Sequence, residues 1–137
     1  GAGCSDSHQF DTQAAAEAGA NLAIAGMSKS SFVHNLGFLS GGRTGSVQML
    51  TLCDEIIGWS SKMATGVEVT ADSIAAEVVV RAARNNEYLT DQHTQDRFMT
   101  ENWYPGLFER SDADAWIDAG AKDMTERVNQ RIRDILG

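Results

Sequence analysis

The sequence predicts an α/β piece, mostly helical with one or two strands, that reads as part of a larger α/β protein. Three observations predict it. Apolar residues recur at helical spacing in several segments. One run, FVHNLGFL, mixes apolar and polar residues as a short strand does. A strand cannot satisfy its own backbone groups, and the remainder of the 137 residues scarcely supplies it with partners.

The first helix runs from Asp11 to about Met27, where DTQAAAEAGANLAIAGM is rich in alanine, starts on an acid and lacks proline. After the SKSS break, Phe32 to Leu39 is the short strand, and SGGRTG, Ser40 to Gly45, a flexible loop. From Ser46 to Lys62, positions Met49, Leu52, Cys53, Ile56, Ser60 and Met63 keep an amphipathic rhythm, and Gly66 ends the helix. Thr70 caps the next helix, Ala71 to Arg84, whose two nearly apolar faces require cover on both sides. Asn85 to Thr90 links it to a helical turn or two over Asp91 to Glu101. Pro105 and Gly106 then force a bend within WYPGLFER. Ser111 caps the last helix, with Asp112 and Asp114 at its positive dipole end. Ile117, Ala121, Met124, Val128, Ile132 and Ile135 form its apolar stripe, and Asp123 with Arg127 is spaced for an i,i+4 pair.

An apolar fraction of 42% allows a real core in one domain over residues 1–137. A net charge of -8 and a pI near 4.7 speak against nucleic acid or an anionic membrane as partner and suit cationic ligands. Cys4 and Cys53 stand far apart with no CxxC pair, which argues against a zinc site or a disulfide framework and for a reduced, cytoplasmic setting. No basic-then-apolar leader opens the chain, and no apolar run approaches the roughly 20 residues of a membrane span. His34 and His93 lack a third ligand at suitable spacing, so no metal is expected.

The order of motifs SDSHQFDTQAAAE, NLGFLSGG, LCDEIIG, GVEVTADSIA, ENWYPGLFER and DAWIDAGAKDMTERV resembles the C-terminal part of the trimethylamine methyltransferase family over essentially the whole chain. The joint pattern is far more specific than any single motif. The resemblance implies the C-terminal fragment of a TIM (β/α)8 barrel, because a whole barrel takes about 250 residues. Gly1 to Ser7 would end one barrel strand, and Phe32 to Phe38 would form another, with the helix Asp11 to Met27 between them. Apolar stripes left exposed in such a piece favour self-association as a homo-oligomer.

Family members transfer a methyl group from a methylated amine to the cobalt of a corrinoid held on a separate protein. The DxHxxG motif of the carriers does not occur here. The resemblance therefore assigns the corrinoid (cobalamin) to a partner, the cognate corrinoid protein, and no bound cofactor to this chain. Methanogen members that use trimethylamine carry pyrrolysine. Members without it resemble demethylases of quaternary amines such as glycine betaine, and this sequence holds standard residues throughout. A quaternary nitrogen is already cationic and leaves as a neutral tertiary amine, so the protein must supply orientation, a dry pocket and walls compatible with a cation.

Active groups of a TIM barrel sit at the C-terminal ends of strands and in the loops that follow. On the resemblance, Asp6, His8, Gln9 and Asp11 are substrate-binding candidates after the first strand, and Phe38 and Ser40 after the second. His8 would donate a hydrogen bond to a substrate carboxylate, Asp6 would offset an ammonium charge or orient His8, and Phe38 would offer a ring face to the cation. The plainer readings are helix caps for Asp6 and Asp11, a solvated loop residue for His8, and core packing for Phe38. No catalytic residue is assigned. Cys4 has no oxyanion partner, and methyl transfer needs no such nucleophile. Gln13 and Glu17 read as a surface hydrogen-bonded pair. Trp103, Tyr104, Pro105, Leu107 and Phe108 read as an apolar corner that pins the last helices rather than as a ligand cage. The alternative function is a non-catalytic helical interaction module that docks through the stripes on its last two helices.

Overall fold

Seven helices and one small sheet make up the computed structural model, which describes all of residues 1–137. The helices are α1 (Thr12–Met27), α2 (Val47–Thr65), α3 (Ala71–Ile74), α4 (Ala76–Ala82), α5 (Gln92–Glu101), α6 (Ala113–Asp118) and α7 (Met124–Leu136). The strands are β1 (Phe38–Leu39) and β2 (Thr44–Gly45). Two units are distinguishable, one formed by Gly1–Ala64 with Pro105–Gly137 and the other by Thr65–Tyr104.

In the first unit α1 begins where expected, because Asp11 is extended and its carboxylate accepts the Ala14 N–H at 2.9 Å. Ala14, Ala18 and Leu22 fall on one face and are buried with Leu39 and with Met49, Leu52, Cys53 and Ile56 of α2. The small side chains of α1 allow close packing: a Cβ added at Gly26 would lie 3.2 Å from the Ser60 Cβ of α2. Met49 is fully buried, and removing such a side chain from water contributes roughly 2 kcal/mol.

The sheet is smaller than the sequence predicts. Cys4 forms one parallel bridge to Phe38, and the Ser5 N–H donates to the Phe38 carbonyl at 3.0 Å. That single bridge stands where the end of a strand was expected over Gly1 to Ser7. The expected strand Phe32 to Leu39 is reduced to its last two residues, which pair antiparallel with β2. Asn35 (φ 62°) and Gly37 (φ 76°) turn the backbone into the left-handed region, which breaks a pleated strand before Phe38. Ser40–Gly42, expected as flexible loop, is a turn of 3-10 helix leading to β2.

The last helix divides at Gly120 (φ 96°) and Ala121 (φ 50°). Asp112, not Ser111, caps α6 by accepting from the Ala115 N–H. Asp123 caps α7 and exchanges hydrogen bonds with Glu126 in a capping box. With Asp123 committed there, the expected Asp123–Arg127 pair does not form, and Arg127 donates instead to the carbonyls of Leu107, at 2.8 Å, and Lys122. The predicted stripe is split accordingly. Val128 is fully buried and Met124 packs on the core, whereas Ile117 and Ile135 are exposed.

Between the two parts of this unit, Glu55 of α2 accepts the backbone N–H groups of Gly106, Leu107 and Phe108 at 3.2, 2.8 and 3.2 Å. Leu107 is buried, and Phe108 meets Trp59 edge to face at 6.0 Å. This pair is the part of the WYPGLFER corner that packs in the first unit.

In the second unit Thr70 caps α3 as expected, in a capping box with Ser73. The predicted continuous helix Ala71 to Arg84 breaks at Ala75 (φ 47°, ψ 42°) into α3 and α4 and ends at Ala82. Ala82 is buried while Ile74, Val79 and Val80 are exposed, so the cover that this apolar segment requires is not supplied within the unit. Asp91 caps α5 and accepts Arg81 at 2.6 Å, and Arg97 pairs with Asp72 and with Glu101. The Arg97 pairs, open to solvent on their carboxylate side, contribute little stability.

Candidate functional site

Two loops of the first unit leave the paired segments on the same side and are joined to each other. One follows Cys4 and carries Asp6, His8, Gln9 and Asp11, and the other follows β1 and starts at Ser40. The Ser40 N–H donates to the Ser7 carbonyl at 2.8 Å and the Gly41 N–H to the Ser5 carbonyl at 3.1 Å. Side chains complete the junction, with His8 Nδ1 2.9 Å from Ser40 Oγ. The first and second loops are thus brought together at the residues named from strand-end position.

The remaining candidates are placed individually. Asp6 is exposed and its carboxylate has no hydrogen-bond or ionic partner, so it does not cap α1. A Cβ on Gly41 would sit 3.5 Å from Asp6 Oδ1, and the bare glycine keeps that space open. Gln9 is exposed, and its backbone N–H reaches Ser7 Oγ at 3.4 Å. Asp11 serves as the cap: one oxygen takes the Ala14 N–H and the other the Ser7 hydroxyl at 2.9 Å. Those donors, the Ala14 N–H foremost, hold the Asp11 carboxyl below its ordinary pKa. Phe38 lies at the edge of exposure, 36% open, which leaves ring surface available to a ligand.

Sequence reasoning missed the scaffold beneath this loop. Glu17 does pair with Gln13 at 2.8 Å, as its spacing predicts. Its other oxygen also accepts the Ser5 hydroxyl at 2.6 Å and the Asp6 N–H at 2.9 Å. The Ser5 hydroxyl, followed by Gln13 and the Asp6 N–H, pulls the Glu17 pKa down. Ser5 and Ser7 are both buried, and the Ser7 N–H donates to Ser5 Oγ at 3.0 Å. The signal available in the sequence was the alternation SDS immediately before a cap, two small polar residues on one side of an extended segment.

The exposed groups of these two loops are of kinds that can bind a ligand. His8 offers an exposed imidazole held at one ring nitrogen, Asp6 an unpaired carboxylate and Phe38 a partly open ring. Ser40 Oγ does lie against the imidazole of His8, but no third group orients that ring from its other nitrogen. Cys53, whose thiol donates to the Gly3 carbonyl, has its pKa pushed up by burial. His34 stacks on Phe32 at 6.2 Å, and His93 Nε2 lies 3.0 Å from the Asp72 carbonyl. No group of three or more His, Cys, Asp or Glu residues is arranged to hold a metal ion. No helix is long and apolar enough to cross a membrane.

Comparison with known proteins gives one consistent family. The profile of the trimethylamine methyltransferase family matches residues 1–137. Trimethylamine methyltransferase MttB of Desulfitobacterium hafniense is 25% identical over 134 residues, covering 98% of this chain and 27% of the relative. Trimethylamine methyltransferase MttB2 of Methanosarcina mazei is 26% identical, covering 96% of this chain and 26% of the relative. The glycine betaine methyltransferase of Desulfitobacterium hafniense strain Y51 is 30% identical, covering 99% of this chain and 28% of the relative. The chain therefore spans little more than a quarter of the length of the curated relatives it matches.

Proposed function

We propose, because this chain belongs to the trimethylamine methyltransferase family, that it is the C-terminal segment of a methyltransferase moving a methyl group from a methylated or quaternary amine to the cobalt of a corrinoid on a separate protein. The observation that carries the reading is the family match along residues 1–137. The junction of two strand-end loops at His8 and Ser40 supports it. A barrel origin draws support from the parallel pairing of Cys4 with Phe38 across the intervening α1.

In the proposed reaction the methyl carbon is attacked by reduced cobalt of the carried corrinoid, the carbon–nitrogen bond breaks, and its electron pair leaves on a neutral tertiary amine. The chain's own residues bind and orient. Asp6 faces the cationic nitrogen, Phe38 gives it a π face, and His8 with Ser40 receives the carboxylate of a betaine-like substrate. The glycine betaine relative, 30% identical along 99% of this chain, supports a quaternary substrate, and the trimethylamine relatives at 25% and 26% support a methylated amine. Residues 1–137 by themselves are not expected to turn over.

The test uses the complete polypeptide that carries this segment, a reduced cognate corrinoid protein, and a panel of amines with and without a carboxylate. Methyl-cobalt absorbance is expected with at least one quaternary amine, and its absence with all of them removes the proposal. His8→Ala should raise KM for glycine betaine about tenfold or more, the size of one charge-assisted hydrogen bond, and leave tetramethylammonium unaffected. Unchanged kinetics with both substrates would return His8 to a solvated loop position.

A further inference from the structure

We infer that Glu17 is a positioning residue for the substrate-binding loop: its carboxylate fixes Ser5 and Asp6, and through them sets the place where His8 meets Ser40. The inference rests on the reading of His8 as a substrate-binding group, but its geometry stands independently of any reaction. A helix-surface pair with Gln13 would occupy one carboxylate oxygen. Glu17 uses both, and the second, Oε2, takes two donors from the loop at 2.6 and 2.9 Å.

The direction of each bond follows from proton counting. An ionised carboxylate accepts only, so the single hydroxyl proton of Ser5 must point at Glu17. Ser5 Oγ is then free to accept, and it takes the Ser7 N–H at 3.0 Å. This fixes the backbone between Ser5 and Ser7, whose two carbonyls hold the N–H groups of Gly41 and Ser40. Ser40 Oγ is thereby presented to His8 Nδ1 at 2.9 Å. Glu17 itself never touches His8. It acts through a chain of mutually satisfied polar groups, of which Ser5 and Ser7 are buried, the arrangement in which loss of one member releases the rest. Glutamine can substitute in part: its amide oxygen can take the place of Oε2, while the Gln13 amide turns over to accept from the new NH2.

The test is nitrogen-15 NMR of the imidazole rings in the chain of residues 1–137, with Ser40→Ala used to assign the His8 signature. In the unaltered chain Ser40→Ala is expected to shift the His8 Nδ1 resonance and leave His34 and His93 in place. Glu17→Ala is expected to abolish that signature, moving His8 to the averaged shifts of a free imidazole, and Glu17→Gln to retain it. A folded Glu17→Ala chain with the unaltered His8 spectrum overturns the inference, as does a Glu17→Gln chain that loses the signature along with Glu17→Ala. Should Glu17→Ala fail to fold, Ser5→Ala leaves the Glu17–Gln13 pair intact and must abolish the same signature. Its retention overturns the inference equally. No substrate enters these measurements, so a negative turnover assay with a positive NMR result removes only the proposed reaction.

Discussion

Replacing Glu55 by Ala deletes one carboxylate and the acceptor for three consecutive backbone N–H groups, those of Gly106, Leu107 and Phe108. A hydrogen bond contributes about 0.5–1.5 kcal/mol net, and more when the acceptor is charged and dry. Glu55 is only half-buried, so water recovers part of each loss, and the low end of that range applies. Leu107 is the exception, since it is 5% exposed and its N–H has poor access to solvent. About 2 kcal/mol is the expected cost of Glu55→Ala. Glu55→Gln keeps one oxygen for Leu107 and Phe108, turns an NH2 toward the Gly106 N–H, and should cost about 1 kcal/mol. For a chain of this size each kcal/mol lowers Tm by about 4 °C, so the two variants should melt about 8 and 4 °C below the unaltered chain. Urea unfolding followed by circular dichroism measures the order directly. Fluorescence of Trp59, whose ring meets Phe108, reports the local part. If Glu55→Ala lies within about 0.5 kcal/mol of the unaltered chain, or Glu55→Gln is no better than Glu55→Ala, the carboxylate does not hold the corner.

Two further predictions concern the backbone and pH. Gly37→Ala places a Cβ 2.7 Å from the Leu50 Cβ at a φ of 76°, so left-handed strain and overpacking combine to about 3 kcal/mol of destabilisation. Gly19→Ala, with nothing within 4 Å in the middle of α1, should stabilise by about 0.5–1 kcal/mol, and a reversal of these two signs in urea unfolding would contradict the packing described. Asp11 and Glu17 have folded pKa values below their ordinary 3.8 and 4.5, so the unfolded chain binds protons more readily in acid. Their contribution is fully present above those ordinary values and is lost as pH falls through the lower folded ones. The urea midpoint should therefore drop on acidification from pH 5 to pH 3, with a shallower slope in Glu17→Gln, and parallel slopes would show that Glu17 is not part of the acid response.

Helices α1 and α2 were legible because their signals are local: alanine content, an acid at the start, and apolar spacing that the core then uses at Met49, Leu52, Cys53 and Ile56. The caps Asp11 and Thr70 were legible, and that of α6 to within a residue, Asp112 in place of Ser111, whereas Asp123, read as half of an ion pair, was not recognised as the cap of α7. The break at Ala75 was not legible, since alanine is the best helix former and nothing in its identity announces a left-handed backbone. The strand was overread because the turns at Asn35 and Gly37 interrupt a pattern that periodicity alone treats as continuous. In the site, His8 and Ser40 were named from strand-end position, and they meet. The Ser5–Glu17 bond spans 12 residues and the Glu55 contacts more than 50, distances at which a linear pattern carries no sign of a partner. LCDEIIG and ENWYPGLFER each hold half of one such contact. That gives a physical reason for the joint pattern to be more specific than either motif alone.

The grip of Glu55 on Gly106 links positions 51 residues apart and encloses the whole of Thr65–Tyr104 as an excursion from the first unit. Closing a loop costs entropy that rises only logarithmically with length, about 0.6 kcal/mol for each doubling. Lengthening or trimming the excursion is therefore cheap for the first unit. One residue gained or lost between Pro105 and Phe108 instead carries three N–H groups out of register with a single carboxylate. Insertions and deletions in this lineage should gather inside the excursion and halt at its rim, so that one glutamate marks where the chain tolerates changes of length and where it does not.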